Sequence, residues 1–233
     1  MDETLLTNTM PIESAWQEAC ETSAKRVNSL KKVNTFNSEE LRLQINIIRE
    51  WYWGDPERHR FGRLNLLKAR TAVVRMSLEK LGYGDEEIAA AIATDYSSLI
   101  DRSLSYFPNA EDTLRQLVTK GVKLALLTNG AGESQQQKIK RFEFSRYFPV
   151  RLIEGELGFG KPDQRVFETA MKKLDTTPGQ TWMVGDDLQR DIAGAQKMGI
   201  YSIWCDYGRN DLPAGSKVKP DKIINNIAEL LSL

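Results

Sequence analysis

Apolar residues recur at every third or fourth position through the first 105 residues, then bunch into short uninterrupted runs. That change of period divides the chain. In the first part, Ile12, Ala15, Trp16, Ala19 and Cys20 mark one helix face behind Pro11, a residue suited to a first helical turn. Asn37 with Glu40 forms a capping pair ahead of Leu41, Ile45, Ile47, Ile48 and Trp51. A third helix runs through Leu67, Val74, Leu78 and Leu81 and stops at Gly82, and DEEIAAAIATDYSSLIDRSL makes a fourth. Between them, WGDPERHRFGR is charged, carries Pro and Gly, and reads as a loop.

After Pro108 helices alternate with strands. AEDTLRQLVTKG is a helix ended by Gly121, and VKLALLTNG is a strand. Helical SQQQKIKRF, strand VRLIEG, helix DQRVFETAMKKL, strand TWMVG, helix LQRDIAGAQKMG and strand IYSIWC follow, and DKIINNIAELLSL closes with a short strand and a helix. This order predicts an α/β fold, a Rossmann-like parallel sheet with helices on both faces. Continuous apolar strands fit burial on both sides. The expected organisation is a core of residues 1–10 and 106–233 with a helical cap, residues 11–105, inserted into it.

Charge narrows the partners. The 32 basic and 32 acidic residues cancel, so no overall field draws the chain to nucleic acid or to an anionic membrane. No apolar run approaches the length of a membrane span, and the acidic N-terminus lacks a secretion pattern. Cys20 and Cys205 have no metal-type spacing and read as free, buried thiols in a reducing compartment. A cytoplasmic location is the expectation.

In open parallel sheets ligands bind beyond the carboxyl ends of the strands. Three such places are polar here: Thr128-Asn129-Gly130, Lys161-Pro162, and Asp186-Asp187 with Asp191 one turn on. Singly, each has a plain reading as a helix cap, a surface lysine or a dipole-favouring acid. Together they suit phosphoryl transfer. A hydroxyl and backbone N–H groups hold phosphate oxygens, a lysine offsets charge, and carboxylates bind a hard divalent cation.

The order Thr-Asn-Gly, Gly-Lys-Pro, then Gly-Asp-Asp with a later Asp resembles the haloacid dehalogenase superfamily, over nearly the whole chain. It looks most like small capped phosphatases such as N-acylneuraminate-9-phosphatase and pyrimidine 5′-nucleotidases. The metal-type last motif speaks against a true 2-haloacid dehalogenase. By this resemblance Thr128, Asn129 and Gly130 bind the phosphoryl group, Lys161 neutralises it, and Asp186 and Asp191 serve Mg²⁺. The cap selects the leaving group, with Arg60 and Arg63 of the WYWGDPERHRFGR stretch as candidates for meeting it. A small phosphorylated metabolite is the expected partner.

The resemblance also bears on the opening MDETLL. The family's first motif reads Asp-x-Asp-x-Thr-Leu at the end of a central strand. Thr4-Leu5 aligns Asp2 with the second aspartate, a general acid/base whose backbone carbonyl also binds Mg²⁺. The nucleophilic aspartate then falls one residue before Met1, and its strand further upstream, so the first core strand is expected to be missing from this chain. Aligning Asp2 as the nucleophile instead puts Thr4 two residues on rather than four. The expected function is a Mg²⁺-dependent phosphatase acting through an aspartyl-phosphate. A non-catalytic phosphate-binding or scaffold protein is the alternative. A signalling receiver is disfavoured, because receivers place their acidic pair before Thr and Lys. The phosphomonoester and the oligomeric state are left open.

Overall fold

The computed structural model describes residues 1–31, 37–208 and 212–233. The chain divides into two compact units, Asn8–Leu104 and Met1–Thr7 with Ser105–Leu233. It passes between them through a paired ribbon of β1 (Leu6–Asn8) and β2 (Leu104–Tyr106).

The helical unit consists of α1 (Ile12–Lys31), α2 (Ser38–Gly54), α3 (Pro56–Gly62), α4 (Leu66–Lys80) and α5 (Glu86–Ser103). Ala15, Trp16, Ala19, Cys20, Leu41 and Ile45 are buried in its core, as the 3.6-residue period requires. Trp16 stacks on Tyr96 with ring centroids 3.7 Å apart. The Asn37 side chain accepts from the N–H groups of Glu39 and Glu40, so the expected cap is made.

Three readings of the pattern change here. Ile47 lies off the buried face of α2 and is exposed, as is Leu67 of α4. Trp51 is also exposed, with the Arg58 guanidinium stacked 3.8 Å above its ring. The stretch expected to be a loop contains α3. Asp55 caps it by accepting from Arg58 N–H, and Pro56 stands in the first turn, where its missing N–H does no harm.

In the α/β unit, α6 (Ala110–Thr119), β3 (Ala125–Thr128), α7 (Gly132–Arg141), β4 (Val150–Ile153), α8 (Glu154–Leu157), α9 (Gln164–Leu174) and β5 (Trp182–Gly185) follow in order. Then come α10 (Ala193–Gln196), β6 (Tyr201–Cys205) and β7 (Lys222–Ile224). The pairing is parallel throughout, with β3 on β4 and β5 on β6 on β7. The sheet is nevertheless in two pieces, because nothing among the described residues pairs β3 to β5. The central strands are therefore not buried on both sides: Ala125, Leu127, Met183 and Val184 are only half-buried. Asp2 makes only an isolated bridge to Leu6. Leu5 and Leu6 both donate their N–H groups to the Met1 carbonyl, which folds the first residues into a tight loop.

The expected helix LQRDIAGAQKMG is also divided. A π-turn occupies Leu188–Ile192 ahead of α10, capped by the Asp187 side chain. Ile192 N–H reaches back to the Asp187 carbonyl at 3.2 Å. This wider turn rotates Asp191 toward the end of β5, and single π-turns of this kind often lie at functional sites.

Candidate functional site

The polar residues collect at the carboxyl ends of β3 and β5. Thr128 ends β3 and is buried. Asp186 follows β5, where Thr4 Oγ1 donates to its Oδ1 at 2.7 Å and Trp204 Nε1 donates to its backbone carbonyl at 2.7 Å. Lys161 and Asp191 form a buried ion pair, Nζ to Oδ1 2.7 Å, with side chains 10% and 3% exposed. Asp191 also accepts from Asp187 N–H at 3.2 Å. Gly185 makes room for it, since a Cβ there would run into the Asp191 carboxylate.

Lys161 is held by its backbone. Asn129 Nδ2 donates to the Lys161 carbonyl at 2.7 Å, and Lys161 N–H donates to Asn129 Oδ1 at 2.9 Å. A Cβ on Gly160 would lie 2.6 Å from that same oxygen, so glycine is needed for the two loops to meet. The Asn129 side chain thus positions the lysine backbone. The Gly130 N–H donates to the buried carboxylate of Glu154 at 3.0 Å.

Asp2 stands on the β3 side. Its Oδ2 accepts from Lys138 Nζ at 2.8 Å and Gln135 Nε2 at 3.3 Å, and Gln135 also donates to the Asn129 carbonyl. Its Oδ1 is buried without a hydrogen-bond partner among the described residues. Burial pushes the Asp2 carboxyl up, but the charges of Lys138 and the N-terminal ammonium outweigh it and leave the pKa below the ordinary carboxylate value. Asp186 shifts the other way. Burial and then the charge of Asp191 raise it, against the Met1 ammonium, Thr4 and Lys161. The Met1 α-amino group is buried in the same field, and burial and Lys161 lower its pKa.

Two close carboxylates, one of them hard to ionise, suit a divalent cation, and Mg²⁺ needs only one or two carboxylates. Among the described residues no group of three or more His, Cys, Asp or Glu side chains is gathered as a metal cluster. The fit rests on Asp186 and Asp191, while the Asp2 carboxylate is turned to Lys138.

The residues that the pattern did not reveal are Gln135, Lys138, Glu154 and Trp204, and Thr4 entered only to align the first motif. Glu154 was accessible to the rule of looking just past each strand, since it follows β4. Lys138 and Gln135 carried no signal beyond a polar helix face. Arg60 and Arg63 lie at the end of α3 in the helical unit. Arg60 is exposed, and Arg63 is half-buried with Nη1 3.3 Å from His59 Nδ1.

The chain belongs to the family of haloacid dehalogenase-like hydrolases, whose model matches residues 1–205. It is 34% identical over 164 residues to phosphoserine phosphatase of Thermus thermophilus, a match covering 69% of this chain and 63% of that one. Human N-acylneuraminate-9-phosphatase, a relative of the expected kind, is 32% identical over 134 residues, covering 56% and 53% of the two chains. The matched part therefore spans less than two thirds of these relatives' own length. The solved structure of a HAD phosphatase from Thermococcus onnurineus superposes with a TM-score of 0.61 at 20% identity, over 99% of this chain and 94% of that one. This supports the α/β core with an added helical part.

Proposed function

We propose that the α/β unit is the catalytic part of a Mg²⁺-dependent phosphatase for small phosphomonoesters. The observation that carries this reading is the buried Lys161–Asp191 pair beside Asp186 and Thr128, a combination of fixed positive charge and cation-binding carboxylates. The named activities of the two relatives, both phosphatases, support it. When bound, the metal would offset negative charge on the phosphoryl oxygens, held by Asp186 and Asp191.

In this reading Thr128 orients the phosphoryl group and Lys161 neutralises it. As the resemblance implies, phosphorus passes to a carboxylate nucleophile, and the bond to the leaving oxygen breaks. Asp2 gives that oxygen a proton from Oδ1, then takes one back from the attacking water as inorganic phosphate leaves. Lys138 Nζ engages Asp2 Oδ2 at 2.8 Å and leaves Oδ1 as the atom for proton transfer. Arg60 and Arg63 are proposed to meet the leaving group.

A second reading, phosphate binding without turnover, is favoured by Lys138 holding the Asp2 carboxylate at 2.8 Å. One experiment separates the two. The 233-residue chain and a version preceded by an apolar strand ending in aspartate are assayed on a panel of small phosphomonoesters with Mg²⁺ and with chelator. Turnover by the extended version that needs Mg²⁺, and falls about 10–100-fold in Asp186→Asn, supports the phosphatase. Phosphate binding by both without turnover supports the second reading. Arg60→Ala and Arg63→Ala in the active version should change kcat/KM among physiological substrates and leave a minimal aryl phosphate unaffected.

A further inference from the structure

Helix α2 is apolar on two sides. Leu41, Ile45 and Ile48 point into the core of the helical unit and are buried. Leu43, Ile47 and Trp51, spaced four apart, form a second row, and they are 49%, 58% and 50% exposed. At 1.5 Å per residue this row is about 12 Å long. A surface helix ordinarily keeps its outer face polar. The neighbouring helices do so: outer positions of α1 include Gln17 and Glu18, and those of α5 include Glu87, Thr94, Ser98 and Asp101. The second row is surplus to the packing of the helical unit.

Trp51 is already fixed in place. The Arg58 guanidinium lies 3.8 Å over its ring, and Arg58 Nη2 donates to the Trp51 carbonyl at 2.7 Å. A side chain held in this way loses little freedom when a partner covers it, and tryptophan is among the residues that anchor interfaces. Phe61 of α3 and Leu64 just beyond it are exposed at the same end of α2. Together these five side chains offer roughly 400 Å² of apolar surface. Interfaces are a little more than half apolar. With its polar rim the patch therefore approaches the ~800 Å² that each partner of a stable pair buries.

We propose that this row is the contact surface for a second copy of the chain, with α2 packed against the partner's α2 about a two-fold axis at Ile47. The row is an i, i+4 ridge, and two such ridges interlock at about 50°. With the helices antiparallel, Ile47 meets the partner's Ile47, and Leu43 meets the partner's Trp51. Charge favours that direction. Glu40 stands one turn before Leu43 and is exposed, while its neighbour Glu39 already pairs with Arg42. Arg58 stands at the other end, over Trp51. The two-fold axis brings each Glu40 toward the partner's Arg58, so the attraction is made twice. A parallel pair would set Glu40 against the partner's Glu40 instead, which is repulsive. An anionic membrane is a poor occupant, because Glu39, Glu40 and Glu50 border the row where basic residues would be needed. This inference stands on the helical unit alone and does not depend on the phosphatase reading.

The test follows the mass of the 233-residue protein by analytical ultracentrifugation from about 1 to about 500 μM. A monomer–dimer equilibrium is expected within that range. Ile47→Glu should weaken it at least about 100-fold, since it sets two carboxylates against each other on the axis. Its circular dichroism should match that of the parent, because the position is exposed. Thr94→Glu, on the outer face of α5, should leave the dimer unchanged. Cross-linking reads the same contact without a charged variant. Cys20 and Cys205 are buried, so the parent should not cross-link under mild oxidation. Ile47→Cys should give a covalent dimer and Thr94→Cys should not. A mixture of Leu43→Cys and Trp51→Cys proteins should link faster than either alone. Several results overturn the proposal. These are a monomer throughout the range, self-association that Ile47→Glu leaves intact, cross-linking of Thr94→Cys as fast as that of Ile47→Cys, and binding to anionic phospholipid vesicles in place of dimerisation. Faster linking of Leu43→Cys or Trp51→Cys alone than of the mixture overturns the antiparallel direction.

Discussion

Replacing Lys161 with methionine should destabilise the α/β unit well beyond an ordinary surface substitution. The pair it makes with Asp191 has its atoms 2.7 Å apart and both side chains at least nine-tenths buried. Removing one partner of such a pair leaves a buried charge uncompensated, at a cost of about 3–5 kcal/mol. The Asp187 N–H that Asp191 retains is long, at 3.2 Å, and replaces little of the loss. Asp191→Leu alone should cost a similar amount, because it strands the lysine. The double variant Lys161→Met with Asp191→Leu should be much less harmful than the sum, with a coupling of at least ~2 kcal/mol, since two apolar side chains then meet in an apolar setting. Urea denaturation of the four proteins gives the cycle, with constant m-values showing that the transitions are comparable. Single losses below ~1 kcal/mol, or a double loss equal to the sum, would show that water reaches the pair and would refute the argument from burial.

Thr4→Val should weaken stability by roughly 1 kcal/mol, by removing the hydrogen bond to Asp186, and should move the Asp186 titration further up when followed by NMR. Burial raises the Asp187 carboxyl, but hydrogen bonds and charge from Arg190 outweigh it and hold the pKa below 3.8. Its contribution is therefore present above the unfolded value and is lost as pH falls through the lower folded value. Arg190→Met should flatten that acid limb of the stability profile below about pH 4 in acid titration followed by circular dichroism. Burial pushes the Cys20 thiol up to about 12. At pH 8 Cys20 should resist a thiol reagent in the folded protein, and the unfolded chain should release two equivalents. Rapid labelling of Cys20 at pH 8 would contradict its burial.

Local pattern carried the elements and the chemistry that lies next to them in sequence. The helices from α1 to α5 follow from a repeat that places Trp16, Leu41, Ile45 and Leu78 on inward faces. The alternation after Pro108 implied a parallel sheet, and Thr128, Lys161 and Asp186 stand at strand or loop ends where that sheet puts its ligands. Short pieces were misread where a cap or a turn decided the outcome. Asp55 and Pro56 start α3 inside a stretch whose composition suggests a loop, and the π-turn at Leu188–Ile192 answers to the space beside Gly185. Contacts between distant segments were decided by tertiary structure alone. Asn129 clamps Lys161 across 32 positions, Thr4 reaches Asp186 across 182, and Lys138 takes Asp2 across 136. A side chain's sequence neighbours set its helix or strand, but they do not set its hydrogen-bond partner when that partner arrives with another element. The gap between β3 and β5 was expected from the resemblance, which puts the missing first core strand there, and the tertiary structure adds which side chains line it.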